Sequence, residues 1–234
     1  VFSPLNGEVI TQVPLSSSDV VDDAVAGAKQ AFPNWANLSL KDRAQIFFRY
    51  RHLLEKHFEE LAALITEENG KTIDEARAEV SVSIEMAEFA TSLPQICLGE
   101  VEMVSRGVEC RSERYPLGVV ASITPFNFPN MVPNWKIPNA ITLGNTMILK
   151  PSEQVPLSAN RIAELLSDAG LPEGVLNVVH GGRETVEAIC ENPGIDAVTF
   201  VGSTKVAKIV YKKASGNFKR VLCLGGAKNH LIVL

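Results

Sequence analysis

Three short segments of the 234-residue chain carry side chains able to do chemistry, and each closes a β-rich run. In Ile123-Thr124-Pro125-Phe126-Asn127-Phe128-Pro129 an amide side chain sits in a turn stiffened by prolines. Turn formation alone accounts for that composition. The sharper chemistry is an Asn127 N–H aimed at a carbonyl oxygen as it becomes an oxyanion, worth roughly 10²–10³ in rate. In Ile148-Leu149-Lys150-Pro151-Ser152-Glu153 the plain reading is a strand ended by Pro151 and a turn capped by Ser152. A carboxylate there is also placed to accept hydrogen bonds from both hydroxyls of a ribose and to repel a 2′-phosphate. In Phe200-Val201-Gly202-Ser203-Thr204-Lys205-Val206, Ser203 or Thr204 is a good N-cap. The same geometry, free N–H groups and a hydroxyl at a helix N terminus, binds phosphate. His180-Gly181-Gly182 offers a weaker opening of that kind. Each segment alone is ambiguous; together, at the strand ends of one sheet, they converge on a dinucleotide.

The elements that position these segments follow from hydrophobic periodicity. Val21, Ala24, Ala28 and Ala31 recur at helical spacing after Ser18, which predicts a helix ending near Pro33. Phe47, Tyr50, Leu54, Phe58, Leu61 and Ile65 predict one long helix from Ser39 to Asn69-Gly70. A third helix is expected from about Asp74 to Ala90, before Pro94. Residues 101–116 mix β-branched side chains with Arg106, Glu109, Arg111, Glu113 and Arg114, a two-sided polar hairpin that cannot lie wholly in a core. It is a solvated flap or an arm that pairs with another subunit. From Gly118, β-rich runs at 118–123, 146–150, 175–179, 196–201 and 219–223 alternate with helical patterns near 129–140, 157–169, 184–191 and 204–213. Strict alternation predicts an α/β fold, a Rossmann-like doubly wound parallel sheet behind an N-terminal helical layer. Pro156, Gly170 and Pro172 punctuate the 157–169 helix. Ligands of such sheets bind at the carboxyl ends of the strands.

Composition narrows the classes. Twenty-two basic against 27 acidic residues give a net charge of −5, with no single-sign block, so neither nucleic acid nor a membrane surface is an expected partner. No apolar run approaches a membrane span. Cys97, Cys110, Cys190 and Cys223 are scattered and lack metal-ligand spacing to His52, His57, His180 or His230, so no metal is expected. Sparse thiols imply a reducing compartment; a cytoplasmic location is expected, with the mitochondrial matrix still open. The first residue is Val1 rather than Met, so a start further upstream is expected and the lack of a targeting peptide is uninformative.

No G-x-G-x-x-G occurs. Instead, Pro-Phe-Asn-Phe-Pro (125–129), Leu-Lys-Pro-Ser-Glu (149–153), Phe-Val-Gly-Ser-Thr (200–204) and Leu-Gly-Gly-Ala-Lys-Asn-His (224–230) together resemble the aldehyde dehydrogenase superfamily in order and spacing. The likeness runs from Ser3-Pro4 to the last residue. It implies that Asn127 is the oxyanion asparagine, that Lys150 and Glu153 contact the adenosine ribose, that Ser203 contacts the pyrophosphate, and that Phe200 and Val206 flank the cofactor. Ile123, Thr124, Pro125, Phe126, Ser152, Gly182, Gly202, Leu224 and Gly225 are expected to complete the NAD contacts. The charged hairpin then reads as an oligomerisation arm, 101–117, between a helical part, 1–100, and a Rossmann-like part, 118–234, in a homodimer or homotetramer. In that family a cysteine thiolate attacks the aldehyde, hydride passes to NAD, and a thioester remains.

Two departures shape the expectation. The nucleophile of the family lies further beyond Leu224-Gly225-Gly226 than this chain extends, in a catalytic domain expected to be absent, so the chain alone should bind NAD without turnover. Where hydrolytic members carry a glutamate base, this chain has Cys223 or Leu224, according to how Ala227 aligns. Cys223 is read as structural rather than catalytic. A thiol such as coenzyme A needs less activation than water, and Ala-Lys-Asn-His with Phe126 resembles the CoA-acylating methylmalonate-semialdehyde dehydrogenase branch. Against the substrate of that branch, Ser81-Val82-Ser83 offers no cation for a carboxylate. The alternatives are a hydrolytic aldehyde dehydrogenase forming the free acid, and a non-catalytic NAD-binding or structural protein.

Overall fold

A computed structural model describes residues 1–227 and 230–233. Four helices come first: α1 (Ser18–Ala36), α2 (Leu40–Lys56), α3 (Phe58–Asn69) and α4 (Ile73–Ile96). A hairpin of β1 (Glu100–Ser105) and β2 (Val108–Ser112) follows. The remainder alternates: β3 (Val119–Ile123), α5 (Met131–Thr142), β4 (Thr146–Lys150), α6 (Pro156–Asp168), β5 (Leu176–Val178), α7 (Arg183–Glu191), β6 (Ala197–Val201), α8 (Thr204–Gly216) and β7 (Arg220–Leu224).

The five later strands form one parallel sheet in the order β5-β4-β3-β6-β7. That is the Rossmann order, with the switch point between β3 and β6. Every residue of β3 and β4 is buried, as expected for central parallel strands covered on both faces. One cover holds α2–α6, whose Phe47, Tyr50, Leu54, Leu61 and Ile65 share a core with Ile137, Met147, Leu149 and Ile162. The other holds α1, α7 and α8, with Val21, Val25 and Ala28 packed among Ile123, Ile148, Ile189 and Val210. The early helices are therefore not one layer: α1 crosses to the opposite face of the sheet.

Three helix boundaries differ from expectation, each because tertiary anchoring outweighs a local signal. Pro33 lies inside α1, and Ser17 rather than Ser18 is the N-cap. The helix continues because Trp35 is buried and donates Nε1–H to the Ile141 carbonyl at 2.9 Å, while the buried Arg43 guanidinium collects the carbonyls of Trp35, Ala36 and Leu38. The expected long helix breaks at His57, whose backbone leaves the helical region between α2 and α3. Its N–H still bonds Leu53 O and its carbonyl receives Leu61 N, so the apolar stripe runs on. Pro94 falls inside the last turn of α4, beside buried Leu93.

In the hairpin every residue is exposed. Val101, Met103, Val104 and Val108 present apolar surface to solvent, more than a purely solvated flap requires.

Candidate functional site

Parallel register aligns the strand ends. Lys150 on β4 pairs with Ile123 on β3, Ile123 with Phe200 on β6, and Phe200 with Cys223 on β7. One row across the sheet thus carries three of the segments singled out in the sequence, side by side at the carboxyl ends. Gly182, after edge strand β5, and Gly225, after edge strand β7, flank this row on opposite sides. At about 4.8 Å per strand they stand roughly 19 Å apart.

Four helices begin above this row, and they differ in what meets their free N–H groups. At α5, buried Glu79 from α4 accepts from Asn130 N at 2.8 Å and Met131 N at 3.0 Å. At α6, buried Glu68 from α3 accepts from Leu157 N at 2.7 Å and Ser158 N at 2.9 Å. Both helix ends are filled by the protein's own carboxylates, complementing the positive end of the helix dipole. In the usual Rossmann arrangement the helix after the first strand, here α5, takes the pyrophosphate. Glu79 already occupies that place, which accounts for the missing G-x-G-x-x-G in physical terms. At α7 and α8 no distant acid intervenes among the described residues. Gly182 caps α7 without a side-chain bond, and a Cβ added to it would meet nothing within 4 Å. Ser203 caps α8, its Oγ accepting from Val206 N at 3.3 Å. The exposed hydroxyl keeps its proton to donate.

The remaining candidates fall into groups. Thr124 is buried and its N–H bonds the Lys150 carbonyl at 3.1 Å, which locks the β3 turn to β4. Pro125 is half-buried and Phe126 exposed. Asn127 is exposed, with no side-chain hydrogen bond among the described residues, so its amide is available to a ligand. Lys150 is buried and donates to Glu153 Oε2 at 3.1 Å. Burial pushes the Glu153 carboxyl up, but its own backbone N–H and the charge and hydrogen bond of Lys150 outweigh that and hold it below the usual range. Phe126 and Glu153 line one cavity together with Asn69 and Gln154. Ser152 fulfils the plain expectation, its Oγ accepting from Gln154 N at 3.3 Å. Gly202 is required by packing: a Cβ there would lie 2.6 Å from the Phe200 ring. Val206 and Leu224 are partly exposed at the mouth, and Gly225 lies against Thr204.

Cys223 is half-buried, and burial raises its thiol pKa, the opposite of what a nucleophile needs. Of the segment 224–230, Lys228 and Asn229 lie outside the described residues. Four groups at or near the site carry no functional signal in the sequence. Glu68 and Glu79 were legible only as acids inside helical patterns. The Asn69–Lys71 stretch read merely as a helix stop. Lys136 lines an apolar groove with Trp135, Asn139 and Thr199, on the sheet face left open by β6 and β7. Burial lowers its pKa, and it makes no ion pair among the described residues.

The sequence profile of the aldehyde dehydrogenase family matches residues 1–234. The chain belongs to the aldehyde dehydrogenase family. Among curated relatives of this family, malonate-semialdehyde dehydrogenase 2 of Geobacillus thermodenitrificans is 54% identical over 233 residues, covering 99% of this chain and 48% of that protein. The chain therefore spans about half the length of the curated aldehyde dehydrogenases it matches. A methylmalonate-semialdehyde dehydrogenase structure from Oceanimonas doudoroffii superposes with a TM-score of 0.96 at 48% identity, over 98% of this chain and 47% of that one. A Sinorhizobium meliloti protein assigned the same activity, and complexed with NAD, gives 0.95 at 45% identity over 98% and 47%. Among the described residues of this aldehyde dehydrogenase chain, no group of His, Cys, Asp and Glu is arranged to hold a metal ion. No described helix is long and apolar enough to cross a membrane.

Proposed function

We propose that the chain is the NAD-binding half of an NAD-dependent aldehyde dehydrogenase that oxidises a small semialdehyde and releases the acyl group to coenzyme A. The observation that carries this is the row Lys150–Ile123–Phe200 beneath four helix N termini, of which only α7 and α8 are left unplugged. The residues fit a dinucleotide. Ser203 and the first N–H groups of α8 suit a pyrophosphate, the open backbone at Gly182 admits close approach, and Glu153, held ionised by its own backbone N–H and by Lys150, suits two ribose hydroxyls. When bound, NAD supplies the hydride acceptor. Asn127, on the turn beyond β3, donates its amide N–H to the aldehyde oxygen as charge builds there. The cysteine that attacks the aldehyde, forming a thiohemiacetal and then a thioester, belongs to the other half of the protein.

The acyl acceptor follows from what the β7 end lacks. No carboxylate stands at Cys223 or Leu224, and burial raises the Cys223 thiol pKa, so neither of these two side chains serves as a base to activate water. A thiol acceptor ionises with less help. The names of the relatives support a semialdehyde of malonate or methylmalonate type. Residues 81–83 supply no cation, so the substrate carboxylate is held from elsewhere. The exposed apolar residues of β1 and β2 support a homodimer or homotetramer built through this arm. The bacterial relatives and four free cysteines fit a cytoplasmic setting.

The test is an assay of the intact enzyme on malonate and methylmalonate semialdehydes with NAD, with and without coenzyme A. Strong stimulation by coenzyme A, with acyl-CoA as product, is expected. Equal NADH formation without it, yielding free carboxylate, overturns the acceptor assignment.

A further inference from the structure

The turn that carries Asn127 is gripped on both sides by residues from the α3–α4 junction. One residue before Asn127, the Phe126 carbonyl accepts from Asn69 Nδ2 at 2.8 Å. One residue after it, the Phe128 ring lies 3.8 Å, centroid to Nζ, from the Lys71 ammonium. That ammonium also pairs with Glu79, the carboxylate that holds the N–H groups of Asn130 and Met131. Beneath these, the Ser83 hydroxyl donates to Asn130 Oδ1 at 2.7 Å, Asn134 donates to the Asn130 carbonyl at 2.9 Å, and the buried Tyr50 hydroxyl donates to Asn134 at 2.8 Å.

Stability of α5 alone does not call for this arrangement. A serine or aspartate at the N-cap would satisfy the first N–H groups locally; instead Asn130 caps with no side-chain bond, and an acid from a distant helix does the work. A buried carboxylate must be paired, and its partner, Lys71, is the group that reaches the ring next to Asn127. A cation over an aromatic face fixes both the height and the direction of the ring. The fixed points bracket Asn127, while its own amide is left unengaged.

We infer that Lys71, seated on Glu79, is a positioning residue that aims Asn127; this rests on the oxyanion reading of Asn127. Displacements near 1 Å of a reacting group cost on the order of 10²-fold in rate, so loosening this grip registers in kcat rather than in nucleotide binding.

The experiment uses the intact enzyme and four variants: Asn127→Ala, Lys71→Met, their combination, and Lys71→Arg. Asn127→Ala is expected to lower kcat/KM by roughly 10²–10³. Lys71→Met should lower kcat about tenfold, with NAD affinity and aldehyde KM little changed. Lys71→Arg should recover part of the loss, because an arginine also places a cation over the ring. The combined variant should be no slower than Asn127→Ala alone, since Lys71 acts only through Asn127. The same fold loss from Lys71→Met in both backgrounds overturns the inference, as does an undiminished kcat. A harmless Asn127→Ala instead overturns the oxyanion reading itself, so the two failures are separable. Should Lys71→Met prove insoluble, Phe128→Leu removes the ring while keeping the ion pair, and the same non-additivity with Asn127→Ala is expected.

Discussion

The carboxylate of Glu68 lies 2.7 Å from the backbone nitrogen of Leu157, 89 residues away in sequence. A second bond, to Ser158 N, makes Glu68 the cap of α6, although the helix has its own Pro156 at the start and no local side-chain cap. Glu68→Ala strips a buried donor on Ser158 and a partly buried one on Leu157 of their acceptor, at a cost of roughly 1–3 kcal/mol for a buried unsatisfied group. The expected result is a thermal midpoint several degrees lower, with the far-ultraviolet spectrum of the remaining native protein unchanged. A midpoint equal to wild type would show that water replaces the carboxylate without loss.

Ser203 combines a structural role and a proposed binding role, and one substitution separates them. Aspartate caps helices as well as serine does, so Ser203→Asp should leave the melting temperature within about 1 °C. A negative charge placed against a pyrophosphate is repulsive, and NAD affinity should fall at least tenfold, read by fluorescence titration. Retained affinity would move the phosphate away from α8.

Glu153 is expected to set the choice of nucleotide. Glu153→Gln removes a charged acceptor for the ribose hydroxyls, worth about 1.5–3 kcal/mol, or roughly ten- to a hundredfold in NAD affinity. Repulsion of a 2′-phosphate falls at the same time, so the ratio of NAD to NADP affinity should narrow. Parallel titrations of both nucleotides decide it. An unchanged ratio removes Glu153 from the site.

His180 gives the acid limb of stability a specific contributor. Burial first, and the charge of Lys150 second, hold its pKa below 6.5. A depressed folded-state pKa means that the neutral form is the one folding favours. The stability it confers is present above 6.5 and is lost as pH falls through the lower folded value. Its Nε2 contacts Asn160 Oδ1 at 2.8 Å, so His180→Gln, which keeps a donor but does not titrate, should flatten the stability profile below pH 6.5. Urea midpoints measured from pH 7.5 to 5 would show an identical slope in both proteins if His180 is not responsible.

The strands and their parallel pairing were readable because β3 and β4 are continuous apolar runs bounded by turn residues, and alternation with helices forces parallel pairing. The placement of Asn127, Lys150, Glu153 and Ser203 just beyond strand ends was readable because strand-end position is a topological fact. What escaped the sequence has the opposite character. Glu68 and Glu79 matter through partners 51 to 90 residues away, a separation that no local pattern encodes. The same holds for Pro33 and Pro94, where a buried Trp35 and a buried Leu93 carry a helix past its expected stop. Lys136 looked like one more charged residue on an amphipathic helix, and only the packing of α5 against the sheet half-buries it.

The two buried glutamates also determine how small this protein can be made. An engineer seeking a minimal nucleotide-capture module would cut before Gly118 and keep the alternating strands and helices. That excision would leave four backbone donors, on Asn130, Met131, Leu157 and Ser158, facing the void where α3 and α4 had been. The two vacated helix ends would then compete with α8 for any passing phosphate, and a miniature made that way would trade selectivity for size.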